Sequence, residues 1–215
     1  MTVEAKICGI NSAEAMRAAV ENGAAYVGLV FYPPSPRAVM PSQAAALARL
    51  VPEGVIRVGL FVDMDDAGFR RILGTAKLDL LQLHGAETPE RVAAIRALTG
   101  LPAMKAIKVA TPEDVHAAFS FVGVADRLLF DAKTPPDMTG ALPGGNAMSF
   151  DWRILAGRRW PCPWMLSGGL DAGNVAEAVR ISGAPAVDVS SGVESRPGVK
   201  DPAKIRSFLD AVRRL

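Results

Sequence analysis

Short apolar runs alternate with longer stretches of helical periodicity from one end of the chain to the other. β-Branched and other apolar residues concentrate at 3–7, 25–31, 55–62, 78–83, 102–107, 127–130, 164–166 and 186–189. Runs of that length and make-up predict strands. Between them lie stretches of helical spacing that begin near Ser12, Pro41, Asp65, Thr88, Thr111, Trp152, Asp171 and Asp201. Several starts are chemically marked. Thr88-Pro89 and Thr111-Pro112 place a capping hydroxyl before a proline whose missing N–H costs nothing in a first turn, and Asp201-Pro202 repeats the device with a carboxylate. The last stretch carries Ile205, Phe208, Leu209 and Val212 at i, i+3, i+4 and i+7, a stripe that must be buried. Lys204, Arg206, Arg213 and Arg214 occupy its other side, as expected for an outer helix lying on a sheet.

Eight strands each followed by a helix predict an α/β protein with a parallel sheet. The unit count favours a closed (β/α)8 barrel, the TIM-barrel fold, over a doubly wound open sheet of five or six strands. No interior shift in composition marks a boundary, so residues 1–215 are expected to form a single domain. One long loop interrupts the rhythm, AKTPPDMTGALPGGNAMS at 132–149, with three prolines and three glycines. Loops of that length usually serve as lids or are disordered.

Composition narrows the function classes. A formal net charge of +2 with no extended Lys or Arg cluster gives no support to nucleic-acid binding, although it suits a small anionic substrate. No apolar run approaches the ~18 residues of a membrane span. The opening MTVEAKICGI passes straight into a strand pattern without a basic segment and apolar core, so no secretion signal is expected. The two cysteines, Cys8 and Cys162, are too far apart for a C-x-x-C site and too few for a disulfide framework. A cytoplasmic protein is expected, monomeric or homodimeric.

Barrel active sites lie at the C-terminal ends of the strands and on the loops that follow, so polar residues there are the candidates. Strand one ends at Cys8; the loop after strand two holds Arg37; strand four carries Gln82 and His84 on one face; strand six ends at Asp131. Strand eight sets Asp188 and Ser190 on one face, and a carboxylate between Val187 and Val189 needs a partner, for which Lys6 is the candidate. Two glycine loops close the chain's repeat: LSGGL at 166–170, with Gly168 and Gly169, and VSSGVE at 189–194, with Ser190, Ser191 and Gly192. Small residues let backbone N–H groups approach an anion, and the loops after strands seven and eight are the usual barrel phosphate site. A phosphorylated small-molecule substrate is therefore expected.

KICGI at 6–10, GLVFYPPSPR at 28–37, QLHG at 82–85, FDAKTP at 130–135, FDW at 150–152, LSGGL at 166–170 and VDVSSGVES at 187–195 occur in one order across the chain. Together they resemble the phosphoribosylanthranilate isomerase family of tryptophan biosynthesis. The resemblance implies a (β/α)8 barrel without metal or cofactor that converts N-(5-phosphoribosyl)anthranilate to 1-(2-carboxyphenylamino)-1-deoxyribulose 5-phosphate by an Amadori rearrangement. It further implies Cys8 as general base, Asp131 as general acid and Arg37 beside the anthranilate group. Gln82, His84 and Asp188 are expected as substrate-binding residues. Gly168, Gly169, Ser190, Ser191 and Gly192 would hold the phosphate. For that chemistry the Cys8 thiol should titrate below its ordinary value, and Lys6 is expected to favour the thiolate. The stretch GGNAMSFDW departs from the family's GGTGKTFDW-like lid, keeping Gly144 and Gly145 but not the later glycine and lysine. Cys162 is expected to be structural. The competing reading is a non-catalytic phosphosugar-binding barrel.

Overall fold

The computed structural model describes residues 2–134, 144–145 and 148–215. Eight strands close into a parallel barrel in sequence order: β1 (Glu4–Cys8), β2 (Tyr26–Val30), β3 (Ile56–Phe61), β4 (Leu80–Leu83), β5 (Ala103–Val109), β6 (Arg127–Ala132), β7 (Trp164–Leu166) and β8 (Ala186–Val189). The ring shuts where β1 pairs with β8, Lys6 lying opposite Asp188. Helices α1 (Ala13–Glu21), α2 (Pro41–Ala48), α3 (Asp66–Leu73), α4 (Pro89–Thr99), α5 (Pro112–Ala117), α6 (Val175–Ser182) and α7 (Pro202–Arg213) form the outer layer. The stripe Ile205, Phe208, Leu209 and Val212 on α7 is buried. Among the described residues no helix is long and apolar enough to cross a membrane.

Period-two alternation sorts each strand into two environments. One set faces the helices in the main core; the other fills the barrel axis with Tyr26, Val58, Leu80, Met104, Ala106, Leu129, Met165 and Ala186. This apolar plug floors the site. Below it the Tyr26 hydroxyl donates to Glu4 (2.6 Å), and above it the inward positions turn polar.

The helix expected at Trp152 is instead a single 3-10 turn, Trp152–Leu155. Gly157 at φ +69° and the prolines at 161 and 163 leave no room for a second turn. The helix expected from Asp171 begins at Val175, because the Asp171 carboxylate accepts from the N–H groups of Gly173 and Asn174 and holds a tight turn first. The sequence reading did not anticipate a hairpin, β9 (Glu194–Arg196) with β10 (Val199–Lys200), between β8 and α7.

Candidate active site

The polar residues singled out at the strand ends converge. Cys8, Arg37, Gln82, His84, Asp131, Gly168, Gly169, Asp188, Ser190 and Ser191 all line one cleft at the barrel mouth. Gly192 lies just behind, where a side chain would collide with the Leu170 carbonyl, so its lack of a Cβ lets the loops after β7 and β8 pack together. Lid positions 135–143 and 146–147 fall outside the described residues. Among those described, no three His, Cys, Asp or Glu side chains cluster as metal ligands would.

Cys8 sits at the tip of β1, buried, above a fully buried Lys6. The Lys6 ammonium contacts Asp188 Oδ1 at 2.8 Å, and Ser167 Oγ donates to Asp188 Oδ2 at 3.1 Å. Strand β2 contributes Gly28 beside them; a methyl there would stand 3.0 Å from Cys8 Sγ and 3.2 Å from Lys6 Nζ. Burial pulls the Lys6 ammonium down, but Asp188 and Cys8 more than reverse this and its pKa rises to about 12. For Cys8 the balance falls the other way. Burial pushes the thiol up, and although Lys6 pulls it down, the net result is a pKa above the ordinary value. The expectation of a lowered thiol pKa is therefore corrected: Lys6 acts in the expected direction, but burial is the larger effect and Asp188 opposes it.

His84 bridges two of the other candidates. Its Nδ1 lies 2.9 Å from the Gln82 amide nitrogen and its Nε2 lies 3.1 Å from Asp131 Oδ2. The remaining Asp131 oxygen accepts from the Ala132 N–H at 3.0 Å. All three side chains are buried. Gly144 of the lid roofs the pair, where an added Cβ would come within 2.8 Å of Asp131 Oδ2.

Arg37 is fixed by residues that the sequence did not flag. Its Nε and Nη2 donate to the two carboxylate oxygens of Glu194 at 2.8 and 2.9 Å, and Nη2 also reaches the Gly145 carbonyl at 3.2 Å. Burial alone would raise the Glu194 carboxyl, but Arg37 and Lys200 hold it below the ordinary carboxylate range. Lys200 in turn donates to Glu194 Oε1 and to the Ser190 carbonyl, both at 2.8 Å; burial draws its own pKa down despite Glu194. Ser190 Oγ donates to the Cys8 carbonyl at 3.2 Å. The hairpin thus ties Arg37, the loop after β8 and the Cys8 backbone into one unit. Ser167, Glu194 and Lys200 were missed, although Ser167 and Glu194 lie within the glycine-loop segments 166–170 and 189–194.

The two glycine loops meet above the Asp188 pair. Gly168 and Gly169 adopt positive φ of 93° and 63°, which favours glycine, and Met148 crosses directly over them. Among the described residues, the N–H groups of Gly168, Gly169, Ser191 and Gly192 have no acceptor. Four N–H groups on two adjoining loops are suited to receive an oxyanion.

A family model described as N-(5'-phosphoribosyl)anthranilate isomerase matches residues 5–211. A curated relative from Paramagnetospirillum magneticum, named for the same activity, is 62% identical over 213 residues, covering 99% of this chain and 98% of its own. The crystal structure of phosphoribosyl anthranilate isomerase from Thermotoga maritima superposes with a TM-score of 0.87 at 35% identity, with both chains fully covered. Another isomerase structure, in complex with reduced 1-(o-carboxyphenylamino)-1-deoxyribulose 5-phosphate, gives a TM-score of 0.84 at 32% identity, again over all of both chains.

Proposed function

The chain belongs to the N-(5'-phosphoribosyl)anthranilate isomerase family, enzymes of tryptophan biosynthesis, and from that premise we propose that its barrel mouth carries out the Amadori rearrangement with Cys8 as general base and Asp131 as general acid. The observation that carries this reading is that the two groups open into one cleft beside the unspent N–H groups of the glycine loops. A proton from Asp131 to the ribose ring oxygen lets the C–O bond break and leaves an imine conjugated to the anthranilate nitrogen. Cys8 then takes the proton from C2 to give the enolamine, and return of that proton to C1 as the C2 hydroxyl gives its own to the Asp131 carboxylate yields the ketone. Atoms and electrons balance within the substrate. Proton transfers alone suffice, so the reaction calls for no redox cofactor.

A raised thiol pKa is compatible with that role. It lowers the fraction of thiolate at neutral pH tenfold per unit, but the thiolate that forms is a stronger base toward a carbon-bound proton. Lys6 limits the rise and stands where the thiolate charge appears. Arg37 suits the substrate carboxylate, because Glu194 occupies its Nε and Nη2 and leaves Nη1 for the ligand. Val30, Tyr32, Leu60 and Val62 line the same cleft and supply a wall for an aromatic ring. Gln82, His84 and Asp188 complete the substrate site, and the loops at 168–169 and 190–192 receive the phosphate. The cocrystallised relative, which holds a reduced phosphorylated ligand, supports that arrangement. One barrel domain, acting in the cytoplasm, carries the whole reaction on this reading.

Steady-state turnover of freshly generated phosphoribosylanthranilate, followed by loss of anthranilate-type fluorescence, tests it. Cys8→Ser and Asp131→Asn should each lose ~10²-fold or more in kcat, the scale of a missing general base or acid. Native turnover that survives both changes would overturn the acid–base pair. Ligand binding without native turnover would instead support a non-catalytic phosphosugar protein.

A further inference from the structure

The buried relay Gln82–His84–Asp131 contains an unresolved hydrogen bond. With the Gln82 nitrogen facing His84 Nδ1, the ring accepts there, carries its proton on Nε2 and donates to the Asp131 carboxylate. That state leaves the fully buried Gln82 Oε1 without a partner among the described residues. It also leaves the proposed acid without the proton it must give.

We propose that His84 and Asp131 hold the reaction's proton jointly, and that Gln82 sets how readily the pair takes it up through the end of its amide that faces the ring. A half-turn of the amide presents Oε1 to Nδ1. The ring then carries a proton on Nδ1, and one further proton is shared along the 3.1 Å contact between Nε2 and Asp131 Oδ2. When the substrate ring oxygen accepts it from Asp131, a neutral imidazole is left facing a carboxylate, and the proton that the C2 hydroxyl gives up as the ketone forms reloads the pair. Nothing is oxidised or reduced. Gly144 lines the cleft beside this contact, and a side chain there would crowd both Asp131 Oδ2 and His84 Nε2.

The other charged groups around the pair are mostly held by partners of their own. Cys8 faces it from β1, Asp188 from β8 bound to Lys6, and Arg37 from the loop after β2 bound to Glu194. On β5, Lys105 is held by Glu87, and Lys108, in register with Asp131, is exposed. Lys133 just beyond β6 is held by Asp114.

The inference rests on Asp131 being the acid, and the test separates the two. The chain has two histidines, His84 and His116, so ¹⁵N-imidazole spectra of the native protein and a His84→Asn variant assign both. Asp131→Asn should lower the His84 titration midpoint by about one unit or more, the effect of losing an opposite charge at this distance, and Gln82→Glu should raise it by a similar amount. His116 should not move. In turnover, His84→Asn should lose ~10²-fold in kcat, and its high-pH limb, above which the acid no longer holds its proton, should shift toward the carboxylate range. A His84 midpoint indifferent to both Asp131→Asn and Gln82→Glu would overturn the shared proton, as would a His84→Asn variant with native kcat and pH profile. Should Asp131→Asn leave turnover intact, the acid assignment fails while the spectra still report whether the proton is shared.

Discussion

At Cys8 two effects compete within a few ångströms, and the sign of the result is measurable. Burial disfavours the thiolate, Lys6 favours it, and Asp188 disfavours it again; the sum is a thiol that titrates above its ordinary value. Alkylation of Cys8 by iodoacetamide requires the thiolate. Its rate should therefore climb about tenfold per pH unit from pH 7 to 9 without levelling off. Peptide mapping distinguishes it from the half-buried Cys162, whose thiol burial also raises. A rate that reaches a plateau below pH 8 would mean that Lys6, not burial, governs the site. The same competition explains Gly28. Strand β2 passes so close to Cys8 and Lys6 that a methyl group would occupy the space between their polar atoms.

The elements differ in how far the sequence revealed them. All eight strands were legible, because a strand buried on both sides reads as an apolar run, as YVGLV in β2 and WML in β7 do. The site residues on those strands followed from alternation, and the roles assigned to them came from the family resemblance. The hairpin β9–β10 was not legible: two strands of three and two residues carry no period, and Pro197-Gly198 was the sole turn signal. Nor could spacing reveal that Glu194 meets Arg37 from 157 residues away. Yet this hairpin holds the guanidinium in place, which makes its effect specific. Glu194→Gln keeps the shape but removes the charge, and should raise KM about tenfold, roughly the worth of a charge-assisted hydrogen bond, while kcat changes less than about threefold. An unchanged KM with a lowered melting temperature would reduce Glu194 to a clamp for the hairpin.

Much of the site sits where the molecule closes on itself. Lys6–Asp188 joins the first strand to the last, Ser190 bonds to the Cys8 backbone, and Asn11 donates to the Gly198 carbonyl across the same junction at 2.9 Å. The first and last units therefore depend on buried charges for closure, and stability and catalysis can be separated there. Lys6→Met leaves Asp188 buried and unpaired, which should cost about 3–5 kcal/mol. The double variant Lys6→Met with Asp188→Leu removes both charges and should recover most of that loss, because a well-packed apolar pair often matches a buried ion pair. Turnover should not return, since the thiolate then forms without its cation. Alkaline melting gives an independent check. Lys6 is raised in the folded protein, so its contribution is complete below its ordinary value near 10.5 and is lost as pH rises toward about 12. Cys8 and Tyr26, whose pKa values are also raised by burial, destabilise the fold in the same direction from about pH 9 upward. The native protein should thus lose stability from pH 9 to 12, and the double variant should show a shallower fall over the upper part of that range. Equal slopes would mean that the ion pair contributes nothing to closure, and a double variant as unstable as Lys6→Met alone would mean that the junction needs the Asp188–Ser167 hydrogen bond instead.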